Sequence, residues 1–155
     1  MTGNSDFEPQ IVAFCCLNCA YAAADLAGGA RNSYPASVKI VALPCTGRVD
    51  VLHLLRAFED GADGVLVAGC LTGRCHYLTG NLHAKQRVDY LRGLLDEIGL
   101  ESQRIRMINV SAGMGVQFAQ LVTEMSEKIQ ELGPNPLRVR KQESPAAEGV
   151  MEPAQ

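Results

Sequence analysis

The sequence predicts an α/β domain with a four-stranded, mostly parallel sheet and crossover helices. Two observations carry that reading. Short β-rich runs alternate with longer stretches at helical spacing, and the runs are nearly all apolar, as strands are when helices cover both faces. The first strand is expected at residues 11–14, where Ile11, Val12, Ala13 and Phe14 follow one another. A helix is expected at 20–27, rich in alanine and therefore a good helix former. A second strand at 38–43 leads to a helix at 49–58, in which Val51, Leu52, Leu55 and Phe58 recur at helical spacing. The third strand, 65–68, precedes a helix at 81–98 striped by Val88, Leu91, Leu94, Leu95 and Ile98. The fourth, 105–110, precedes a helix at 115–132 striped by Phe118, Leu121, Val122, Met125 and Ile129. Gly61, Gly99 and Gly133 each follow a periodic stretch, where a helix C-terminus needs a residue that tolerates positive φ. The order of elements is that of a flavodoxin- or Rossmann-like sheet, with ligands expected in the crevice at the carboxyl ends of its strands.

The 155 residues suit one domain, expected at 9–133. Residues 1–8 read as a flexible N-terminus. Residues 134–155 hold four of the seven prolines with little apolar content between them, and read as a flexible tail. The net charge of −3 has no basic half, which argues against nucleic acid as a partner. With no apolar run near the ~18–20 residues that cross a bilayer, and an acidic, polar start, the expectation is a cytoplasmic protein without membrane insertion.

The chemistry lies in six cysteines, Cys15, Cys16, Cys19, Cys45, Cys70 and Cys75, all in the first half of the chain. Disulfide frameworks belong to small secreted chains with insufficient cores, which this is not. Cys15, Cys16 and Cys19 follow the first expected strand, Cys45 the second, and Cys70 and Cys75 the third, so three loops distant in sequence converge on one sheet edge. Adjacent residues of an extended chain point to opposite faces, so only one of Cys15 and Cys16 joins the loop side. Cys16 pairs with Cys19 as C-x-x-C, and Cys15 is assigned to the core. A C-x-x-C between strand and helix is also the signature of a thiol-disulfide oxidoreductase or redox sensor, a reading that leaves Cys45, Cys70 and Cys75 unexplained. Zinc is open too, although its structural sites favour two short knuckles. Iron-sulfur centres accept irregular sets such as this one, which contains both a C-x2-C and a C-x4-C spacing.

Two loops repeat a tripeptide beside these cysteines: Thr46, Gly47 and Arg48 follow Cys45, and Thr72, Gly73 and Arg74 precede Cys75. Glycine lets backbone N–H groups turn toward sulfur, and a nearby cation stabilises a reduced, more negative cluster, so all six are candidate cofactor-binding residues. His76, directly after Cys75, is of a type that can replace a thiolate ligand but reads as a hydrogen-bonding or surface residue, and His53 and His83 read as helix-surface residues. Phosphatase and nucleotide-cradle motifs are absent, since no cysteine has arginine six positions on and no glycine-rich fingerprint follows the first strand. With no Ser/His/Asp set either, the sequence favours carrying electrons, as part of a larger oxidoreductase complex, over converting a substrate.

Segments 14–21 (FCCLNCAY), 24–28 (ADLAG), 34–35 (YP), 45–50 (CTGRVD), 61–65 (GADGV), 69–70 (GC), 75–77 (CHY) and 80–81 (GN) together resemble the delta, iron-sulfur subunit family of methyl-viologen-reducing hydrogenase and heterodisulfide-reductase-associated electron-transfer proteins. The resemblance spans residues 9–133. It implies a small protein with a 2Fe-2S cluster that passes electrons between a hydrogenase or other oxidoreductase module and a heterodisulfide-reductase-like flavoprotein. Its cysteine pattern falls on Cys16, Cys19, Cys45, Cys70 and Cys75, five candidates for four ligand places, and does not require Cys15. Between Cys16 and Cys19 the family carries asparagine and then tryptophan, where this chain has Leu17 and Asn18.

Overall fold

The computed structural model describes residues 6–143. Four strands, β1 (Ile11–Cys16), β2 (Val38–Leu43), β3 (Gly64–Gly69) and β4 (Ile105–Asn109), form an all-parallel sheet in the order β2-β1-β3-β4. Five helices accompany them: α1 (Ala20–Gly29), α2 (Val51–Glu59), α3 (Gly80–Glu97), α4 (Gly115–Leu132) and α5 (Pro136–Glu143). The predicted α/β class is the observed one. Among the described residues, no helix is long and apolar enough to cross a membrane.

Strand alternation divides the interior into two cores. Ile11, Ala13 and Cys15 of β1 and Leu66 and Ala68 of β3 face α1 and α4, meeting Ala20, Ala23, Phe118, Val122 and Ile129. Val12, Phe14, Val65 and Val67 face α2 and α3, meeting Leu54, Phe58, Val88, Leu91 and Leu95. All six residues of β3 are buried, as a strand covered on both faces requires. The alanines of α1 let α4 approach closely: a side chain at Gly115 would start 3.0 Å from the Ala27 nitrogen.

Several boundaries differ from expectation. β1 runs two residues further, because Cys15 pairs with Ala42 and Ala68 and Cys16 with Leu43, so the C-x-x-C begins inside the strand. α2 starts at Val51, after a 3-10 turn at Thr46–Arg48. His53, read as a plain surface residue, serves that start: its Nδ1 accepts the Asp50 N–H at 3.1 Å.

The segment after Gly133, expected to be flexible, is structured through residue 143. Asn135 is fully buried, its side-chain amide donating to the Phe58 and Ala62 carbonyls (3.0 and 2.8 Å) while its Oδ1 accepts the Leu137 N–H at 3.0 Å. Asparagine before a proline at the first helical position is a helix-start signal, and it outweighs the segment's low apolar content. The rest of the expected tail, 144–155, and residues 1–5 of the expected N-terminal extension lie outside the described residues.

Asn135 belongs to a polar clamp at the amino edge of the sheet. Asp63, fully buried, accepts the Gln10 and Asn135 N–H groups at 2.8 Å each and pairs with Arg138 at 2.5 Å. Arg104, 1% exposed, donates to the Asp63 and Gly133 carbonyls (3.1 and 2.9 Å) and to Glu101 at 2.7 Å.

Candidate metal centre

The opposite, carboxyl edge gathers the thiols. Cys16 ends β1, and Cys19 stands immediately before α1, its N–H donating to the Cys16 carbonyl at 3.3 Å. Cys45 caps the 3-10 turn after β2 and accepts the Gly47 N–H on its sulfur at 3.3 Å. Cys70 follows β3, and Cys75 makes an isolated bridge with Leu78 in the loop leading to α3. Because β1 lies between β2 and β3, the loops of the two flanking strands meet over its end. That is the switch point at which open parallel sheets bind ligands.

The sulfurs fall into two contacting pairs, Cys16 with Cys70 at 3.8 Å and Cys45 with Cys75 at 3.9 Å. Cys19 joins the first, the sulfurs of Cys16, Cys19 and Cys70 all lying within 4.8 Å of one another. All six cysteines are free thiols and all are buried. Cys15 lies on the other face of β1, fully inaccessible, where burial and then neighbouring Cys16 push its thiol up to about 12.

The backbone builds the second pair. A side chain at Gly80 would drive its Cβ into the Cys45 sulfur, and one at Gly47 would put it 2.8 Å from the Gly80 Cα, so the Cys45 turn and the start of α3 touch only because both residues are glycine. Burial by itself would raise Cys75, but the N–H groups of Asn81 and Tyr77, the Cys45 thiol and the Gly80 N–H hold it below its ordinary value. The other shifts run upward. Burial, the hydrogen bond to Cys70 and the nearby Cys16 raise Cys19; burial raises Cys45 and Cys70.

The six predicted cofactor-binding residues divide. Gly47 meets the Cys45 sulfur through its N–H, whereas Thr46 is buried against Gly69, and Arg48 is exposed in a groove beside β2. Thr72 and Gly73 form an exposed turn with Gly73 at φ +78°, and Arg74 lines a cleft of about 550 Å³ with Cys19, Cys70 and His76. Residues not singled out from sequence hold the loops in place. Arg87 donates to the Gly47 and Val49 carbonyls at 2.6 and 2.8 Å. Asn81 and Asn109 donate to the Cys70 carbonyl at 3.1 and 2.7 Å, and the Asn81 Oδ1 is buried without a partner. Gly80 and Asn81 had a sequence signal in their motif; Arg87, midway along an amphipathic helix, had none.

These donors fit a thiophilic metal cluster. Two thiolates on one tetrahedral metal at about 2.3 Å stand about 3.8 Å apart, the separation found in both pairs. A single zinc would draw four donors to that mutual spacing; among the described residues the only set of three or more within 4.8 Å is Cys16, Cys19 and Cys70.

Comparison with known proteins is consistent with this geometry. The chain is 50% identical over 133 residues to an iron-sulfur subunit of the F420-non-reducing hydrogenase vhu from Methanocaldococcus jannaschii, covering 86% of this chain and 99% of the relative. It is 45% identical over 131 residues to an iron-sulfur subunit of the F420-non-reducing hydrogenase from Archaeoglobus profundus, covering 84% and 96%. A third relative is much longer: a subunit of the ferredoxin:CoB-CoM heterodisulfide reductase from Methanosarcina mazei is 43% identical over 126 residues, 81% of this chain but 16% of that protein. Residues 11–133, strand β1 through the end of α4, match the family described as "Methyl-viologen-reducing hydrogenase, delta subunit", and the chain belongs to that family.

Proposed function

We propose that this chain is an electron-transfer subunit that holds a 2Fe-2S cluster and relays electrons between a hydrogenase or other oxidoreductase module and a heterodisulfide-reductase-like flavoprotein. The observation that carries the reading is the pair of thiol contacts at 3.8 and 3.9 Å on the carboxyl edge, each at the spacing of two ligands to one metal atom. Cys16 and Cys70 would hold one iron and Cys45 and Cys75 the other, with Cys19 the fifth thiol beside the first pair. When bound, the cluster supplies one-electron redox chemistry at a potential set by charge, hydrogen bonds to sulfur and exposure. The chain contributes N–H groups from Gly47, Gly80 and Asn81 toward the second pair, burial that excludes water, and a cleft at Cys19 and Cys70 through which a partner's redox group approaches. The partner reading is supported by relatives named as hydrogenase subunits and by the Methanosarcina mazei relative, in whose longer chain the matching region is one part.

The dithiol alternative at Cys16 and Cys19 finds less support. Thiol exchange needs an accessible thiol of depressed pKa, whereas both are buried and Cys19 is pushed upward. Anaerobic reconstitution with iron and sulfide, followed by metal analysis and EPR of the reduced protein, tests the assignment. About two irons and two labile sulfides per chain and a paramagnetic reduced state are expected. Protein that takes up neither, or takes up only zinc, overturns it.

A further inference from the structure

Two sides of the sheet near its β2 edge are covered unequally. On one side α1 and α4 close over the core that contains Val38. On the other, α2 and α3 pack on β3, and α3 also on β4. A groove of about 1170 Å³ remains over β1 and β2. Its floor is apolar, formed by Val12, Phe14, Val41 and Leu43, with Val41 40% exposed. Its rim is cationic, with Lys39, Arg48 and Arg56 exposed and Lys141 3.9 Å from the one rim carboxylate, Asp60. Among the described residues Lys39, Arg48 and Arg56 have no ion-pair partner.

The groove leads to the thiols. Pro44 lines it, and the Pro44 carbonyl accepts from the Cys16 thiol at 3.8 Å and from the Asn18 amide at 3.3 Å. Arg48 lines it too, and belongs to the turn that Cys45 caps. A body lying in the groove therefore ends one residue from Cys45 and one carbonyl from Cys16.

We infer that this groove is the docking site for an acidic amphipathic helix of the partner flavoprotein. The inference rests on the electron-transfer reading above and adds the face and the chemistry of contact. Charge complementarity selects the occupant. An apolar stripe matches the floor, and flanking Asp and Glu side chains match a lining of five cations, of which Arg138 is already paired with Asp63, and one carboxylate. A helix is about 10 Å across, and in a doubly wound sheet a helix is what covers a strand face left bare.

The test uses the full-length reconstituted chain and the purified heterodisulfide-reductase-type flavoprotein from the same cell. Affinity is measured by calorimetry at low and high salt, with cluster absorbance and circular dichroism recorded for every variant. Lys39→Glu with Arg56→Glu should weaken binding by about tenfold or more and flatten its salt dependence, since reversed rim charges meet like charges on the partner. Val41→Asp should weaken it as well, while Arg92→Glu on the exposed side of α3 leaves it unchanged. Equal affinity of all variants overturns the proposal. So does loss of self-association instead of partner binding, which would give the groove to a second copy, or binding that appears only after residues 144–155 are deleted, which would give it to the chain's own end. Groove-dependent binding by protein that takes up no iron would sink the cluster reading and leave the docking site standing.

Discussion

The two ends of the sheet treat their polar atoms in opposite ways. At the amino edge Asp63, Arg104 and Asn135 are buried, and each is engaged by several protein partners: three donors reach the Asp63 carboxylate, and Arg104 bonds three carbonyls and a carboxylate. At the carboxyl edge five buried thiols touch one another and otherwise meet only backbone groups, three of them with raised pKa values, beside an orphaned asparagine oxygen. Buried polar groups are normally satisfied, so an edge that leaves thiols facing each other is built for a guest, and one that engages every buried charge, with only the Ser37 hydroxyl left without a partner, is built for stability.

The contrast can be broken most severely at the thiols. Cys70→Ser should abolish the visible absorbance and EPR signal of the reconstituted protein, whereas Cys15→Ala should retain both and lose only about 1 kcal/mol of stability from the small core cavity. A cluster that survives the first change or disappears with the second would refute the division between the two faces of β1. Asp63→Ala should do the reverse, lowering stability by about 3–5 kcal/mol in denaturant titration, because Arg138 is left unpaired and two N–H groups lose their acceptor, while metal content stays constant. Gly80→Ala should lower iron uptake with only a modest loss of stability, about 1–3 kcal/mol, since the added methyl clashes with the Cys45 sulfur and displaces it. The smallest effect sharpens the comparison within the thiols. In metal-free protein, raising the pH from about 7 to about 9 should label Cys75 with iodoacetamide first, because its depressed pKa makes thiolate appear at lower pH, and Cys15, at about 12, only on unfolding. Peptide mapping by mass spectrometry reads the order.

Much of this architecture is legible in the sequence because the relevant signals are local. Every strand and the first four helices follow from apolar runs and stripes, and the placing of thiols after successive strands follows from βα order alone. What escapes is set by distance. The contact of Cys45 with Cys75 depends on β1 lying between their strands, which no spacing records. The repeated Thr-Gly-Arg tripeptides meet different fates for a similar reason: the first is a 3-10 turn pressed between Gly69 and Gly80, the second an exposed turn around a left-handed glycine. The helix after Gly133 is obscured by composition, since its anchors are one buried asparagine and two ion pairs, Arg138 with Asp63 and Lys141 with Asp60, rather than an apolar stripe.

The amino-edge clamp also fixes where the chain enters and leaves the family domain. The Gln10 carbonyl accepts the Asp63 and Gly64 N–H groups just before β1, and the Gly133 carbonyl accepts from Arg104, itself bonded to the Asp63 carbonyl. Both boundaries of the domain are thus gathered around one aspartate, a sheet's length away from the thiols. A unit whose ends meet on the side opposite its reactive edge can be spliced into a longer polypeptide without covering that edge. That geometry suits a family whose matching region is 99% of the Methanocaldococcus jannaschii relative and 16% of the Methanosarcina mazei one.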